Sequence, residues 1–380
     1  MTATLNIGTH TIAEIEQQPR MWMKEYDSIL SNKEKIEKFM ITNNISKHST
    51  IILTGAGTSA FIGNALLYIM PLYGYSNCIA MSTTDIITHP DAAFQKDKEI
   101  VLVSFARSGN SPESLATVEL AERLCKKVTN IIVTCNENGQ LAKNANDSNS
   151  LLLLLPPETN DKSLAMTSSF TTMLLSFILY ININDISEEK SKIDSINKSS
   201  EAFIQNYKHL IKQIATLNFK RAVFLGSGEL KGIAEECHLK LQELTDGQVI
   251  CKHDSFLGFR HGPKAVIDKD TLLIYLFSSN EHIRKYEVDL VKQINQNNNV
   301  IAQIGISSGN KINIDGVKLD LNLNLDNISQ STNAYYFIPY VLIGQLLGYY
   351  KSISMGLNPD SPSVSGNIAR VVEGVTIYND

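Results

Sequence analysis

Two stretches of this chain, residues 50–54 and 221–225, are short and mostly apolar, and each runs into a Gly-x-Gly turn and then a helical pattern. The turns are Gly55-Ala-Gly57 and Gly226-Ser-Gly228, and the helices are expected over 61–73 and 229–244. A strand that turns on glycines into a helix opens a βαβ unit, which forces a parallel sheet. Further strands are expected at 77–81, 100–103, 130–134 and 151–155 after the first turn, and at 271–277, 300–304 and 319–325 after the second. Runs this short and this apolar are strands buried on both faces, with helices packed above and below. Additional helices are expected over 11–18, 21–40, 168–180, 187–213, 282–295 and 333–355. The expected fold class is α/β: two tandem doubly wound parallel-sheet domains. Their expected bounds are 49–198 and 215–380, behind an N-terminal helical extension over 1–48.

Composition excludes several function classes. The 380 residues carry 34 Lys and Arg against 39 Asp and Glu, a net charge of −5, with no dense basic stripe, so nucleic acid is not an expected partner. Apolar runs such as 151–157 are too short to span a bilayer, and the N-terminus lacks a basic-then-apolar leader. Five scattered cysteines without CxxC spacing read as reduced thiols, not as a zinc site. His238, His253 and Cys251 have no partners at metal-ligand spacing. A soluble, cytoplasmic protein without metal or membrane is expected.

The chemistry concentrates in a few places. In Ser104-Phe-Ala-Arg-Ser-Gly-Asn-Ser-Pro-Glu-Ser114 an expected strand passes through a hydroxyl-rich turn into a helix. Backbone N–H groups and the positive end of a helix dipole favour an anion there. Ser108 and Ser111 add hydroxyls, Arg107 a permanent charge, and Gly109 close backbone approach. An ordinary βα loop with a serine cap and Pro112 at the first helical position is the simpler alternative. Thr58 and Ser59 bring hydroxyls to the helix start after the first strand. Gly55-Ala-Gly-Thr-Ser-Ala60 also fits a dinucleotide fingerprint, but no acidic residue closes the following strand and Asp85 comes late. No Walker lysine follows a strand. After 271–277 the counterpart is Ser278-Ser-Asn-Glu281, without the glycine or arginine, so an anion site is expected in the first half alone.

On the helix expected at 229–244, Glu236, Lys240 and Glu243 fall on one face at spacings of four and three. Ile233, Cys237, Leu241 and Leu244 share another face and Leu239 lies on the far side. A polar stripe between apolar ones suits the edge of a pocket, although such stripes are commonly just solvated. His261 stands in Phe259-Arg-His-Gly-Pro-Lys264, stiffened by its Gly-Pro pair. Arg370 follows a Pro/Gly/Ser-rich loop over 356–366 and is placed either at the surface or on an anionic group.

From about residue 49 onward these residues together resemble the sugar isomerase (SIS) domain superfamily, which implies flavodoxin-like sheets. Gly55-Ala-Gly-Thr-Ser59 is similar to its first-strand loop, and Arg107-Ser-Gly-Asn-Ser111 to its phosphate-binding serine loop. Leu239-Lys-Leu-Gln-Glu243 with His261-Gly-Pro263 resembles the acid–base elements of the isomerase half of glucosamine-6-phosphate synthase. Glu158-Thr-Asn-Asp161, Ala165-Met-Thr-Ser-Ser169, Asp254-Ser-Phe-Leu-Gly-Phe-Arg-His-Gly-Pro263 and Gly356-Leu-Asn-Pro-Asp360 resemble the AgaS group. That group covers galactosamine-6-phosphate deaminase/isomerases and tagatose-6-phosphate ketose/aldose isomerases. The chain departs from the wider pattern in two places. Ala106 stands at the first serine of the loop, and Arg370 stands where the synthase has a Schiff-base lysine. Arginine, with a pKa above about 12, is not a usable amine nucleophile.

The resemblance implies roles. Glu243 is the base at C2, Lys240 polarises O1 or steadies the intermediate, and His261 opens the sugar ring. Ser59, Arg107, Ser108 and Ser111 hold a 6-phosphate, with Thr58 and Arg370 as further substrate contacts. A phosphorylated hexose or hexosamine is the expected partner, and no cofactor is required. In the synthase the histidine comes from the neighbouring subunit, which implies a homo-oligomer, a dimer or larger, with His261 shared across the interface. Conversion of galactosamine 6-phosphate to tagatose 6-phosphate and ammonia is the expected reaction, with simple tagatose-6-phosphate isomerisation and non-catalytic sugar-phosphate sensing as the alternatives.

Overall fold

The computed structural model describes residues 7–145, 148–297, 299–328, 333–372 and 374–378. The first six residues of the expected N-terminal extension lie outside them. Three helices come first: α1 (Thr9–Glu16), α2 (Gln18–Ser31) and α3 (Lys33–Thr42). The sequence suggests one helix across 21–40, but Asn32 divides it. Its side-chain amide donates to the Ser28 carbonyl at 2.9 Å and competes with the helical ladder.

Contacts divide the chain into two units. One holds the described residues of Arg20–Asp161, Ser168–Ser191 and Arg370–Asp380, the other those of Met1–Pro19, Lys162–Thr167 and Lys192–Ala369. The first unit contains β1 (Thr50–Thr54), α4 (Thr58–Leu66), β2 (Cys78–Ala80), α5 (Thr83–Thr88), α6 (Pro90–Ala93), β3 (Glu99–Ala106), α7 (Pro112–Leu124), β4 (Lys127–Thr134), α8 (Gln140–Asn144), β5 (Ser150–Leu154) and α9 (Ser168–Ile181). Its five strands are parallel in the order β2-β1-β3-β4-β5. Every residue of α9 is buried, which fits its lack of a polar face. Where the sequence suggests one helix over 61–73, α4 starts three residues earlier and stops at Leu66. Pro71 has no N–H to continue the ladder, and a short 3-10 turn, Met70–Tyr73, replaces it.

Helix α10 (Ile186–Ala215) leads to the second set of elements: β6 (Arg221–Gly226), α11 (Glu229–Leu244), β7 (Ile250–Asp254), α12 (Phe256–Phe259), β8 (Thr271–Leu276), α13 (Glu281–Asn297), β9 (Ala302–Ser308), β10 (Leu321–Leu325) and α14 (Leu342–Ser354). This sheet is also parallel, in the order β10-β9-β8-β6-β7. Numbered from its own first strand, each sheet has the order 2-1-3-4-5, the flavodoxin-like doubly wound order. The likeness extends to single dihedrals. Gly57 has φ 54° and ψ −128°, and Gly228 has φ 59° and ψ −129°, a region open in practice only to glycine.

Strand β7 has no counterpart among the apolar runs. It is an edge strand whose residues are exposed or half-buried, so its sequence, Ile-Cys-Lys-His-Asp, carries no apolar pattern. The helix suggested over 333–355 is regular only from Leu342, because Pro339 leaves a 3-10 turn before it. No single described helix is long and apolar enough to cross a membrane.

Candidate functional site

In the first unit, β1 and β3 lie side by side with Thr54 opposite Ser104, so the loops that follow them emerge together at one end of the sheet. This is the topological switch point, where open α/β sheets bind ligands. The first loop delivers Thr58 and Ser59, both buried, to the start of α4. The second is Arg107–Ser111, with Gly109 at φ +66°. Ser111 caps α7: its Oγ accepts from the Ser114 N–H at 3.3 Å and lies 2.7 Å from the Ser114 hydroxyl. Pro112 occupies the first helical turn.

Arg107 is 7% exposed, and its Nη2 donates to the Arg370 carbonyl at 2.5 Å. Arg370 in turn donates from Nε to the Asp161 carbonyl and from Nη2 to Asn160 Oδ1, both at 2.9 Å. The structure thus brings Thr58, Ser59, Arg107, Ser108, Ser111 and Arg370 to the same unit. Arg107 and Arg370 are engaged with the chain itself: Arg370 fixes the backbone at 160–161, and Arg107 fixes Arg370.

In the second unit, α11 runs over 229–244 as expected, but its charged stripe is not solvated. Lys240 is 1% exposed and Glu236 is fully buried. The Lys240 ammonium lies 3.2 Å from Glu236 Oε1 and is also paired with Glu243. Burial alone would lower the lysine pKa, but the two carboxylates outweigh it and the pKa is raised. Glu243, 15% exposed on its side chain, is the member of the trio that reaches solvent. Ile233, Cys237, Leu241 and Leu244 fill the apolar face.

His261 follows α12 on an exposed loop, with its N–H donating to the Gly258 carbonyl at 3.0 Å. The His238 and His253 rings pack at a tilt of 39° with centroids 4.7 Å apart. Burial, together with the neighbouring His238 and Lys231, pushes the His253 pKa down to about 4, so this imidazole is neutral. Among the described residues no three His, Cys, Asp or Glu side chains are placed to hold a metal ion.

The second sheet's counterpart of the Arg107–Ser111 loop is filled from within. The Ser278 N–H, at the end of β8, donates to Glu287 Oε2 at 2.9 Å, and Glu229 accepts from the Tyr336 hydroxyl. Burial pushes the Glu287 carboxyl up to about 7.

The SIS domain family pattern matches residues 44–183. The D-galactosamine-6-phosphate deaminase AgaS of Shewanella sp. (strain ANA-3) is 37% identical over 373 residues, covering 97% of this chain and 91% of that protein. The chain belongs to the AgaS family of SIS-domain proteins. A solved structure from Clostridium novyi NT superposes with a TM-score of 0.92 at 38% identity, covering 98% of this chain and 96% of that one. The tagatose-6-phosphate ketose/aldose isomerase from Escherichia coli superposes with a TM-score of 0.86 at 32% identity, covering 98% and 97%.

Several of the motifs that carry the AgaS resemblance turn out to be caps. The Asp161 carboxylate starts α9, accepting from the N–H groups of Ser168 and Ser169 at 3.2 and 3.0 Å and from both hydroxyls at 2.6 Å. Asp360 does the same for α1, accepting from the Thr11 N–H at 2.7 Å and its hydroxyl at 2.8 Å. Two residues with a bearing on the site, Asn136 and Gly139, belong to none of the motifs. They stand in Asn136-Glu-Asn-Gly139, directly after β4, and that turn-forming composition is the one signal the sequence holds for them.

Proposed function

We propose that this chain converts galactosamine 6-phosphate and water to tagatose 6-phosphate and ammonia by moving a proton from C2 to C1. The observation that carries the reading is the buried Lys240 ammonium, which is paired with two carboxylates, one of which, Glu243, opens to solvent. An amino-sugar phosphate is supported by full-length kinship with proteins named as galactosamine-6-phosphate deaminases.

Ring opening, with His261 as acid and base, exposes the C1 aldehyde. Glu243 removes the C2 proton, the electron pair forms the C1–C2 double bond, and O1 takes up a proton, giving an enolamine. Protonation at C1 by the same carboxyl shifts the double bond to C2 and nitrogen. Water adds to that imine, the C2–N bond breaks and ammonia leaves with its electron pair. Base and oxygen stabilisation at positioned groups are the usual sources of rate in such steps. The Lys240 ammonium faces Glu236 and Glu243, so its part is to position Glu243. Thr58, Ser59, Arg107, Ser108 and Ser111 hold the 6-phosphate, whose binding energy fixes the reacting carbons. Arg370 keeps the C-terminal segment on the loop. The enzyme works in the cytoplasm as a homodimer or larger assembly in which the exposed His261 serves the neighbouring subunit.

Simple isomerisation is the second reading, favoured by the likeness to an enzyme named as a tagatose-6-phosphate isomerase. Incubation with galactosamine 6-phosphate and, separately, tagatose 6-phosphate tests both. Equimolar ammonia and ketose from the first substrate supports deamination, and aldose formation from the second without ammonia supports isomerisation. Binding of both with turnover of neither would overturn the enzymatic reading and leave a sensor.

A further inference from the structure

Three consecutive residues of the loop after β3 are each held by one hydrogen bond from the turn after β4 or the first residues of α8. The Ser108 carbonyl accepts from Asn136 Nδ2 at 2.8 Å, the Gly109 carbonyl from the Leu141 N–H at 2.9 Å, and Asn110 Oδ1 from the Gln140 N–H at 2.8 Å. Asn136 is itself fixed, because its Oδ1 accepts from the Asn138 N–H at 3.1 Å and its own N–H donates to Thr134 Oγ1 at 3.3 Å. The two turns touch backbone to backbone. A Cβ added at Gly139 would lie 2.4 Å from the Ser108 oxygen and 3.2 Å from the Gly109 Cα.

We infer that Asn136 and Gly139 are positioning residues for phosphate recognition: the turn after β4 orients the anion loop without touching the ligand. A planar trans peptide points its C=O and N–H in opposite directions. Turning the carbonyls of Ser108 and Gly109 toward residues 136–141 therefore aims the N–H groups of Gly109 and Asn110 the other way, toward the side that a phosphate would occupy, where the Asn110 N–H donates to the Ser108 hydroxyl at 3.3 Å. Successive N–H groups held in this manner form an anion-binding concavity. Gly139 itself has φ −66° and ψ 150°, which any residue adopts. An alanine there keeps the backbone dihedrals and acts mainly by pushing the Ser108 carbonyl out of place, with closer contacts of 3.2 Å to the Asn136 carbonyl and the Gly109 Cα. Losing one well-placed hydrogen bond to a charged ligand weakens binding about ten- to a hundredfold.

The inference rests on the reading of residues 107–111 as the phosphate loop. It is tested by calorimetric titration of wild type, Gly139→Ala and Asn136→Ala with inorganic phosphate, galactosamine 6-phosphate and unphosphorylated galactosamine, alongside thermal melting. The dissociation constants of both phosphate-bearing ligands should rise about ten- to a hundredfold in each variant, with galactosamine affinity unchanged. Equal phosphate affinity in all three proteins would overturn it. So would a parallel loss for galactosamine, or collapse of folding in both variants, since either would make the clasp a stability device alone. Wild type that lacks affinity for phosphate overturns it as well. Wild type that binds phosphate tightly, loses it in the variants and yet turns over neither sugar phosphate sinks the proposed reaction while leaving the clasp intact.

Discussion

Lys240 and Glu236 form an ion pair out of contact with solvent, 3.2 Å from ammonium nitrogen to carboxylate oxygen, one helical turn apart on α11. The same nitrogen holds Glu243, so a single buried cation balances two carboxylates. Removing it leaves two buried or half-buried anions facing each other. The Lys240→Met variant should lose about 3–5 kcal/mol in denaturant unfolding, and adding Glu236→Gln should recover part of that loss. Additive effects in the double variant would show that the two side chains do not interact.

Arg107 stands at the base of the proposed phosphate loop with one guanidinium nitrogen on the Arg370 carbonyl. A hydrogen bond to a charged group contributes about 1.5–3 kcal/mol, so Arg107→Ala should weaken phosphorylated sugars about ten- to a hundredfold in a binding titration. Unphosphorylated sugars should bind as before. Equal losses for both would remove Arg107 from phosphate recognition.

Asp161 accepts four hydrogen bonds at the start of α9, two from backbone N–H groups and two from hydroxyls. Its loss leaves buried donors without an acceptor and the most buried helix of the first unit without its cap. Asp161→Ala should destabilise the protein by about 2–4 kcal/mol, read as a lowered thermal midpoint. An unchanged midpoint would show that the four bonds are replaced by water.

Glu25 on α2 gives the pH dependence a sign. Burial, offset in part by the Ser176 hydroxyl, raises its pKa from 4.5 to about 8. The native state therefore holds a proton that the unfolded chain releases, and stability falls as pH rises between these two values. Glu25→Gln removes the dependence. The variant's melting temperature should gain on wild type between pH 5 and pH 8, by the equivalent of a few kcal/mol at most, about 1.4 kcal/mol for each pH unit that separates the folded and unfolded pKa. A constant difference across that range would mean that Glu25 titrates normally.

Much of this architecture is legible in the sequence, for reasons that also explain the gaps. Strand β1 and helix α11 fall where the pattern puts them, because a doubly covered strand and a half-buried helix write their environment into apolar spacing. Strand β7 does not, because an edge strand with half-buried residues has no such spacing. Helix ends at Asn32 and Leu66 are set by single side chains, an amide that bonds back and a proline that cannot donate. In the site, the spacing of Glu236, Lys240 and Glu243 is visible, but whether that face is wet or buried depends on what packs over it. Asn136 and Gly139 lie about 30 residues beyond the loop they hold and gain meaning only when β3 and β4 are paired.

The proposed chemistry depends most on Glu243 as the group that carries the proton between C2 and C1. The direct measurement is exchange of the C2 hydrogen of galactosamine 6-phosphate with deuterated water, followed by NMR in wild type and Glu243→Gln together with binding of the same sugar phosphate. The expected result is exchange and ammonia release in wild type, with both abolished in the variant while its affinity stays within about threefold, since a base acts on the reacting proton and not on the phosphate tail. Exchange at the wild-type rate in Glu243→Gln would contradict that role.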